Sequence, residues 1–251
     1  MPRTAREKCE SGIYHVMLRG INRYDIFHDE EDYLRFLETL MKTKGKDNYS
    51  IYAYCLMSNH VHLVLHEQKE EISKIMKRIG VSYAWWYNRK YDRVGHVFQD
   101  RFRSESIKDD SYLLCAVRYV HNNPVKAGLV KAAEEYRWSS VKAYYGLREY
   151  PEGLTGKSFI LGMLSENELS EYTKAENQDN FIDYEIKIRK KDEELINNLL
   201  ELLNGEPISV LHTMDVKKRN EILRELKEIH GVTQRQIARV TGISQSAVSQ
   251  A

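Results

Sequence analysis

Two histidines, a few tyrosines and a set of guanidiniums are the side chains of this 251-residue chain that could do chemistry together. The histidines are His60 and His62, inside Ile51-Tyr-Ala-Tyr-Cys-Leu-Met-Ser-Asn-His-Val-His-Leu-Val-Leu65. Met57-Ser58-Asn59 is the kind of short polar break that joins two strands. After it the residues alternate: Val61, Leu63 and Leu65 point to one face, and His60, His62, Val64 and His66 to the other. The first face suits a core, and the second presents two imidazoles side by side. Imidazole is a common metal ligand and also an ordinary polar filler of strands.

A divalent ion on two histidines needs at least one more ligand, preferably oxygen, and Asn123 can supply it. Such a mixed set suits Mg²⁺ or Mn²⁺ acting as a Lewis acid on a phosphate, and is compatible with zinc. Asn123 shares one face of an expected helix with Tyr112 and Tyr119, whereas Leu113, Val117 and Val120 turn elsewhere. A tyrosine can attack phosphorus and leave a phosphotyrosine, which conserves the bond energy for rejoining. Its ordinary pKa of ~10 means that it needs activation. At this point Tyr112 and Tyr119 are both open as nucleophiles.

Between Lys74 and Arg103 lie Lys74, Lys77, Arg78, Arg89, Lys90, Arg93, Arg101 and Arg103, interleaved with Tyr83, Trp85, Trp86, Tyr87, Tyr91, Phe98 and Phe102. Positive charge follows a phosphate backbone and aromatic rings accept unpaired bases, the combination expected for single-stranded nucleic acid. Part of this set must be core and solvated helix face. The formal net charge of +1 hides an asymmetry: residues 1–150 hold 25 Lys+Arg against 20 Asp+Glu, and the rest hold 13 against 17. The N-terminal part, including its basic start at Arg3, Arg6 and Lys8, is the better candidate for a polyanion.

The elements that must position these groups follow from patterning. Ile13–Leu18 reads as a strand running into a loop with Arg19 and Arg23. Asp29 can cap a helix on which Tyr33, Phe36, Leu37, Leu40 and Met41 recur at helical spacing. The two central strands come next, and then a helix from about Glu71 with Ile72, Ile75, Met76, Ile79, Tyr83 and Trp86 as its buried stripe. Val94–Phe98 resumes an extended pattern. The order β-α-β-β-α-β is that of a ferredoxin-like domain, an antiparallel sheet with both helices on one face. The histidine face is then left for a ligand or another helix. Further along the chain a helix is expected from Tyr112 to Asn122, stopped by Pro124. A short helix begins near Trp138-Ser139-Ser140, and short helices and connection follow Leu154.

At the end, Val216–His230 reads as a charged helix. Thr233 and Ser244 can cap two more, and Gly242 sits at the bend between them, the spacing of a helix-turn-helix. Its second helix turns Gln245, Ser246 and Ser249 outward and is cut short at Ala251. The expected fold is therefore α+β, a ferredoxin-like antiparallel sheet with helices over residues 1–150. A helical connection over 151–205 and a small all-α helix-turn-helix domain over 206–251 follow. Cys9, Cys55 and Cys115 form no CxxC, so reduced cytoplasmic thiols are the default. No stretch approaches a membrane span, and no signal-like start is seen.

The setting Tyr54-Cys-Leu-Met-Ser-Asn-His60-Val-His62 resembles the HUH motif of single-tyrosine transposases. More closely it resembles the IS200-like group and, within it, the REP-associated tyrosine transposases. The likeness extends through Arg19-Gly-Ile-Asn-Arg23, Gly95-His-Val-Phe-Gln-Asp-Arg-Phe102 and Arg118-Tyr-Val-His-Asn-Asn-Pro-Val-Lys-Ala-Gly-Leu129, covering residues from about 10 to 146. The resemblance implies Tyr119 as the nucleophile; Tyr112, two helical turns earlier on nearly the same face, is the reserve. It implies His60 and His62 as metal ligands, with Asn123 as the helix-borne third. It also implies cleavage and joining of single-stranded DNA near hairpins, without a nucleotide cofactor. Arg19, Arg23, Arg101 and Arg103 would touch backbone or hairpin. Members of the wider group act as dimers that share sites or as monomers, so monomer and homodimer both stay open. The helix-turn-helix lies outside the resemblance, and duplex target or promoter DNA is its expected partner.

Two rival readings remain. A regulator descended from a transposase would bind DNA and leave the strand intact. A metal-dependent hydrolase would cleave without a protein–DNA adduct and survive Tyr119→Phe.

Overall fold

The computed structural model describes residues 9–175, 181, 192–229 and 232–251. Arg3, Arg6, Lys8, His230 and parts of the expected connection lie outside the described residues. The chain divides into two compact units, Met1–Asp183 and Tyr184–Ala251.

The first unit is built on four strands, β1 (Ile13–Arg19), β2 (Ser50–Met57), β3 (His60–His66) and β4 (Arg103–Ser106), all pairing antiparallel in the order β2-β3-β1-β4. With α1 (Glu30–Asp47) and α2 (Ile72–Lys90) between them, this is the ferredoxin-like α+β arrangement. Helix α1 starts where expected. The Asp29 carboxylate accepts from the Asp32 backbone N–H at 3.1 Å, and the Asp32 carboxylate returns the bond.

The alternation of β3 sorts its side chains as expected. Val61, Leu63 and Leu65 join Phe36, Leu40, Ile75 and Ile79 in the core beneath α1 and α2. On the opposite face Val64, with Ala53 and Cys55 of β2, packs against Leu113, Val117, Val120 and Tyr119 of α3 (Asp110–Lys126). Leu113, Val117 and Val120 thus share the sheet-facing side of α3 with Tyr119, not a separate one. Further on come the short helices α4 (Val141–Tyr144), α5 (Lys157–Leu161) and α6 (Glu166–Lys174).

Two expectations are corrected. The fourth strand is Arg-Ser-Glu-Ser, not Val94–Phe98. A strand at the sheet edge pairs on one side only and needs no apolar alternation. Val97 is apolar because it is buried in the core, and Phe98 makes only an isolated bridge to Gly20. Pro124 does not stop α3, which runs on to Lys126 with Pro124 inside it. In the last turn the missing N–H removes a single ladder bond, and the buried packing of the ring compensates.

The second unit holds α7 (Asp192–Leu202), α8 (Val216–Glu228), α9 (Gln234–Thr241) and α10 (Gln245–Gln250) around Leu195, Leu199, Leu223, Leu226, Ile237 and Val248. Thr233 and Ser244 cap α9 and α10 through their hydroxyls, and Gly242 takes φ 72° between them. No helix among the described residues is long and apolar enough to cross a membrane.

Candidate active site

The two central strands bring the histidines together. In the β1–β3 register Met17 lies opposite His62 and Arg19 opposite His60, so these side chains share the face covered by α3. His15, two residues before Met17, falls on that same face diagonally from His62. Sequence reasoning did not single out His15. The available signal was a histidine within an apolar strand, but the pairing that aims it at His62 is tertiary.

His15 and His62 are both fully buried. His15 Nε2 lies 3.0 Å from His62 Nδ1, and the ring planes differ by only 16° at a centroid separation of 5.2 Å. That separation is close to the hydrogen bond plus the two ring radii. The rings therefore meet edge to edge, with the bond along the lone-pair direction. Burial, reinforced by the charges of His60, His15 and Arg19, holds His62 well below the usual imidazole pKa. Burial alone pushes His15 down to about 3. The Nε2 of His62 is buried and has no hydrogen-bond partner among the described residues. His60, half-buried and 5.0 Å away between centroids, has Nδ1 2.6 Å from the Asn59 side-chain oxygen. The Asn59 amide nitrogen meanwhile donates to the Arg23 carbonyl at 3.3 Å.

Helix α3 lays Tyr119 over this pair. Its ring, 5% exposed, stands edge-on to His15 and His62 at 5.7 Å from each, with Lys126 Nζ 4.7 Å from its centroid. Asn123, one turn on, is also buried, and its amide nitrogen donates to the Tyr119 carbonyl at 2.9 Å. That bond turns the nitrogen back onto the helix and leaves the amide oxygen as the atom to offer a cation. Tyr112 donates its hydroxyl to Glu105. Burial and that carboxylate push its pKa above the ordinary phenol range, which makes it a poorer nucleophile. Phe181 contacts Tyr112, Tyr119 and His15 at 5.0, 5.1 and 5.6 Å, and nothing in its charged sequence surroundings marks it.

The backbone beside the site is held closely. Gly20 N–H donates to the Asn59 carbonyl and Ile21 N–H to the Val97 carbonyl, both at 2.9 Å. A Cβ on Gly20 would come within 2.1 Å of the Tyr24 carbonyl, so only glycine fits there. This pins Arg19 and Arg23 at the rim next to the histidine turn.

The basic residues divide. Arg23, Arg89, Arg101 and Arg103 are exposed, and Arg89 lies over the exposed ring of Trp85 at 5.6 Å. Arg19 is half-buried at the end of β1. Lys90 is different. Its ammonium sits 2.7 Å from Asp29 and 2.9 Å from both Glu31 and Asp32, a structural knot between α1 and α2. In the second unit Gln245, Ser246 and Ser249 are exposed on α10, as expected.

Among the described residues no group of three or more His, Cys, Asp or Glu side chains is arranged to hold a metal.

Comparison with known proteins agrees with the motifs. Residues 8–123, somewhat under half of the chain, match the family model described as IS200-like transposase. A protein of Haemophilus influenzae, named as a candidate REP-associated tyrosine transposase, is 24% identical over 115 residues. The match takes in 41% of this chain and 65% of that one, so the chain spans somewhat under two thirds of its relative. Among solved structures, a REP-associated tyrosine transposase bound to a REP hairpin is similar at 19% identity and a TM-score of 0.49, over 59% of this chain and 89% of the other. A candidate transposase of Deinococcus radiodurans is similar at 16% identity and a TM-score of 0.34, over 48% and 97%.

Proposed function

We propose that the chain cleaves and rejoins single-stranded DNA through a covalent phosphotyrosine, with Tyr119 as nucleophile and His60, His62 and Asn123 as ligands of a divalent ion. The observation that carries the reading is the packing of Tyr119 against His62, whose Nε2 is buried without a partner among the described residues. An orphaned imidazole nitrogen inside a protein is costly, and a cation is a partner that suits it. The donor set fits: two neutral imidazoles and an amide oxygen accept Mg²⁺ or Mn²⁺. When bound, the ion would polarise the scissile phosphate and help bear its developing charge.

The remaining work belongs to the chain. The Tyr119 oxygen forms a bond to phosphorus, and the bond from phosphorus to one deoxyribose oxygen breaks. The phenolic proton departs and the leaving oxygen is protonated, so the step needs no water and is reversed by another strand's hydroxyl. The long packing of Tyr119 on α3 fixes the nucleophile against a rigid sheet. Arg23, Arg101 and Arg103 supply exposed charge for the backbone, with Arg19 at the rim, and Arg89 with Trp85 offers a cation beside a stacking surface. Lys90 leaves this set because of its three carboxylates. We place the catalytic domain at 1–150 and a duplex-binding helix-turn-helix at 206–251, joined by the helical connection over 151–205. The preferred substrate is hairpin DNA, and the compartment is the cytoplasm.

The test is a denaturing-gel assay for protein–DNA adduct on single-stranded hairpins with Mn²⁺. Adduct should form with wild type and Tyr112→Phe and vanish with Tyr119→Phe and His62→Ala. Cleavage without adduct would instead indicate a hydrolase. Tight duplex binding with neither would indicate a regulator.

A further inference from the structure

The two histidines of the pair differ in how their orientation is fixed. For His60 the matter is decided by Asn59. The Asn59 amide nitrogen is engaged with the Arg23 carbonyl, so its oxygen faces His60, and an amide oxygen can only accept. His60 Nδ1 therefore carries a proton, and in the neutral ring Nε2 keeps its lone pair. For His62 the partner is another imidazole, which can accept or donate. If His15 Nε2 donates, His62 Nδ1 accepts and the His62 proton is forced onto Nε2, where no cation can bind. If His15 Nε2 accepts, His62 carries its proton on Nδ1 and Nε2 is open.

We propose that His15 is a positioning residue for the metal site, its Nε2 accepting from His62 Nδ1–H so that His62 offers Nε2 to the divalent ion. This rests on the metal-site reading given above. The in-plane geometry of the contact fixes the rotation of the His62 ring, and of the two directions the bond can take only donation from His62 Nδ1 leaves Nε2 open to a cation. Metal-ligating histidines commonly donate their second ring N–H to an outer partner in this way. The partner here is neutral imidazole rather than carboxylate. His15 thus adds no negative charge to a site that must also accept a phosphate.

Two measurements on the intact chain test this. The first is long-range ¹H–¹⁵N NMR of the Zn²⁺-loaded wild type, which reads the state of each ring nitrogen. The expected pattern is His62 with protonated Nδ1 and metal-bound Nε2, and His15 with protonated Nδ1 and an unprotonated, metal-free Nε2. A metal-bound nitrogen on His15 would make it a ligand and overturn the role. The second is Mn²⁺ binding followed by EPR, with thermal unfolding as a control. His15→Leu should weaken Mn²⁺ binding by about 10–100-fold, and His15→Gln, whose amide oxygen can accept, should recover most of it. If His62→Ala abolishes binding while His15→Leu leaves it unchanged, the positioning role is wrong and the metal site stands. If wild type binds no Mn²⁺, both fall together.

Discussion

Replacing Lys90 by methionine separates a structural cation from a DNA-contacting one. The ammonium lies within 2.9 Å of Asp29, Glu31 and Asp32, and the Asp32 side chain is wholly buried. Breaking a buried ion pair by deleting one partner costs roughly 3–5 kcal/mol when the charge left behind is uncompensated. Compensation here is partial. Asp32 also accepts from the His28 backbone N–H at 2.6 Å and from the Tyr91 hydroxyl at 2.7 Å, and these bonds survive. Asp29 and Glu31 are exposed, so their share is that of surface pairs, a few tenths of a kcal/mol. Methionine keeps most of the aliphatic stem but loses the ammonium that lies 5.1 Å from the Trp86 ring centroid. The expected loss is therefore about 2–3 kcal/mol, read from urea unfolding followed by circular dichroism. Hairpin binding by the folded protein should keep its salt dependence. A phosphate contact would lower the slope of log K against log[salt] by ~0.7 for single strands. A Lys90→Met protein as stable as wild type, with a slope reduced by that amount, would show that Lys90 contacts DNA and does not tie α1 to α2.

Two further outcomes follow. Trp85 is 62% exposed beneath Arg89, so Trp85→Ala should weaken single-strand binding by the ~1–3 kcal/mol typical of base stacking, measured by fluorescence anisotropy, with stability little changed. His15 and His121 are fully buried, and burial pushes each to about 3, below its ordinary 6.5. The unfolded chain takes up these protons first. Stability of the metal-free protein should be full above pH 6.5 and fall progressively as the pH drops toward 3, by roughly 2 kcal/mol per histidine at pH 5. Urea midpoints against pH check the direction.

Much of this arrangement was legible in the sequence because it is local. The Asp29, Thr233 and Ser244 caps, the stripe from Ile72 to Tyr83 and the alternation through His60-Val-His62 each declare themselves within a few residues. What was not legible depends on partners far along the chain. Strand β4 is polar because it lies at an edge, and only its pairing with β1 makes it a strand. Tyr87 is buried at the end of α2, where Trp86 was expected, because it reaches the Asp25 carbonyl and His28. His15 and Phe181 join the site through strand register and tertiary packing, neither of which a single sequence carries.

In the proposed mechanism Tyr119, held against His62, becomes the covalent link to DNA. Protease digestion of the wild-type adduct with a single-stranded hairpin in Mn²⁺, followed by mass spectrometry, locates that link directly. The expected result is a nucleotide-modified peptide containing Tyr119, with unmodified peptides for Tyr112 and the other tyrosines. A modification on Tyr112, or cleaved DNA with no modified tyrosine at all, would contradict it.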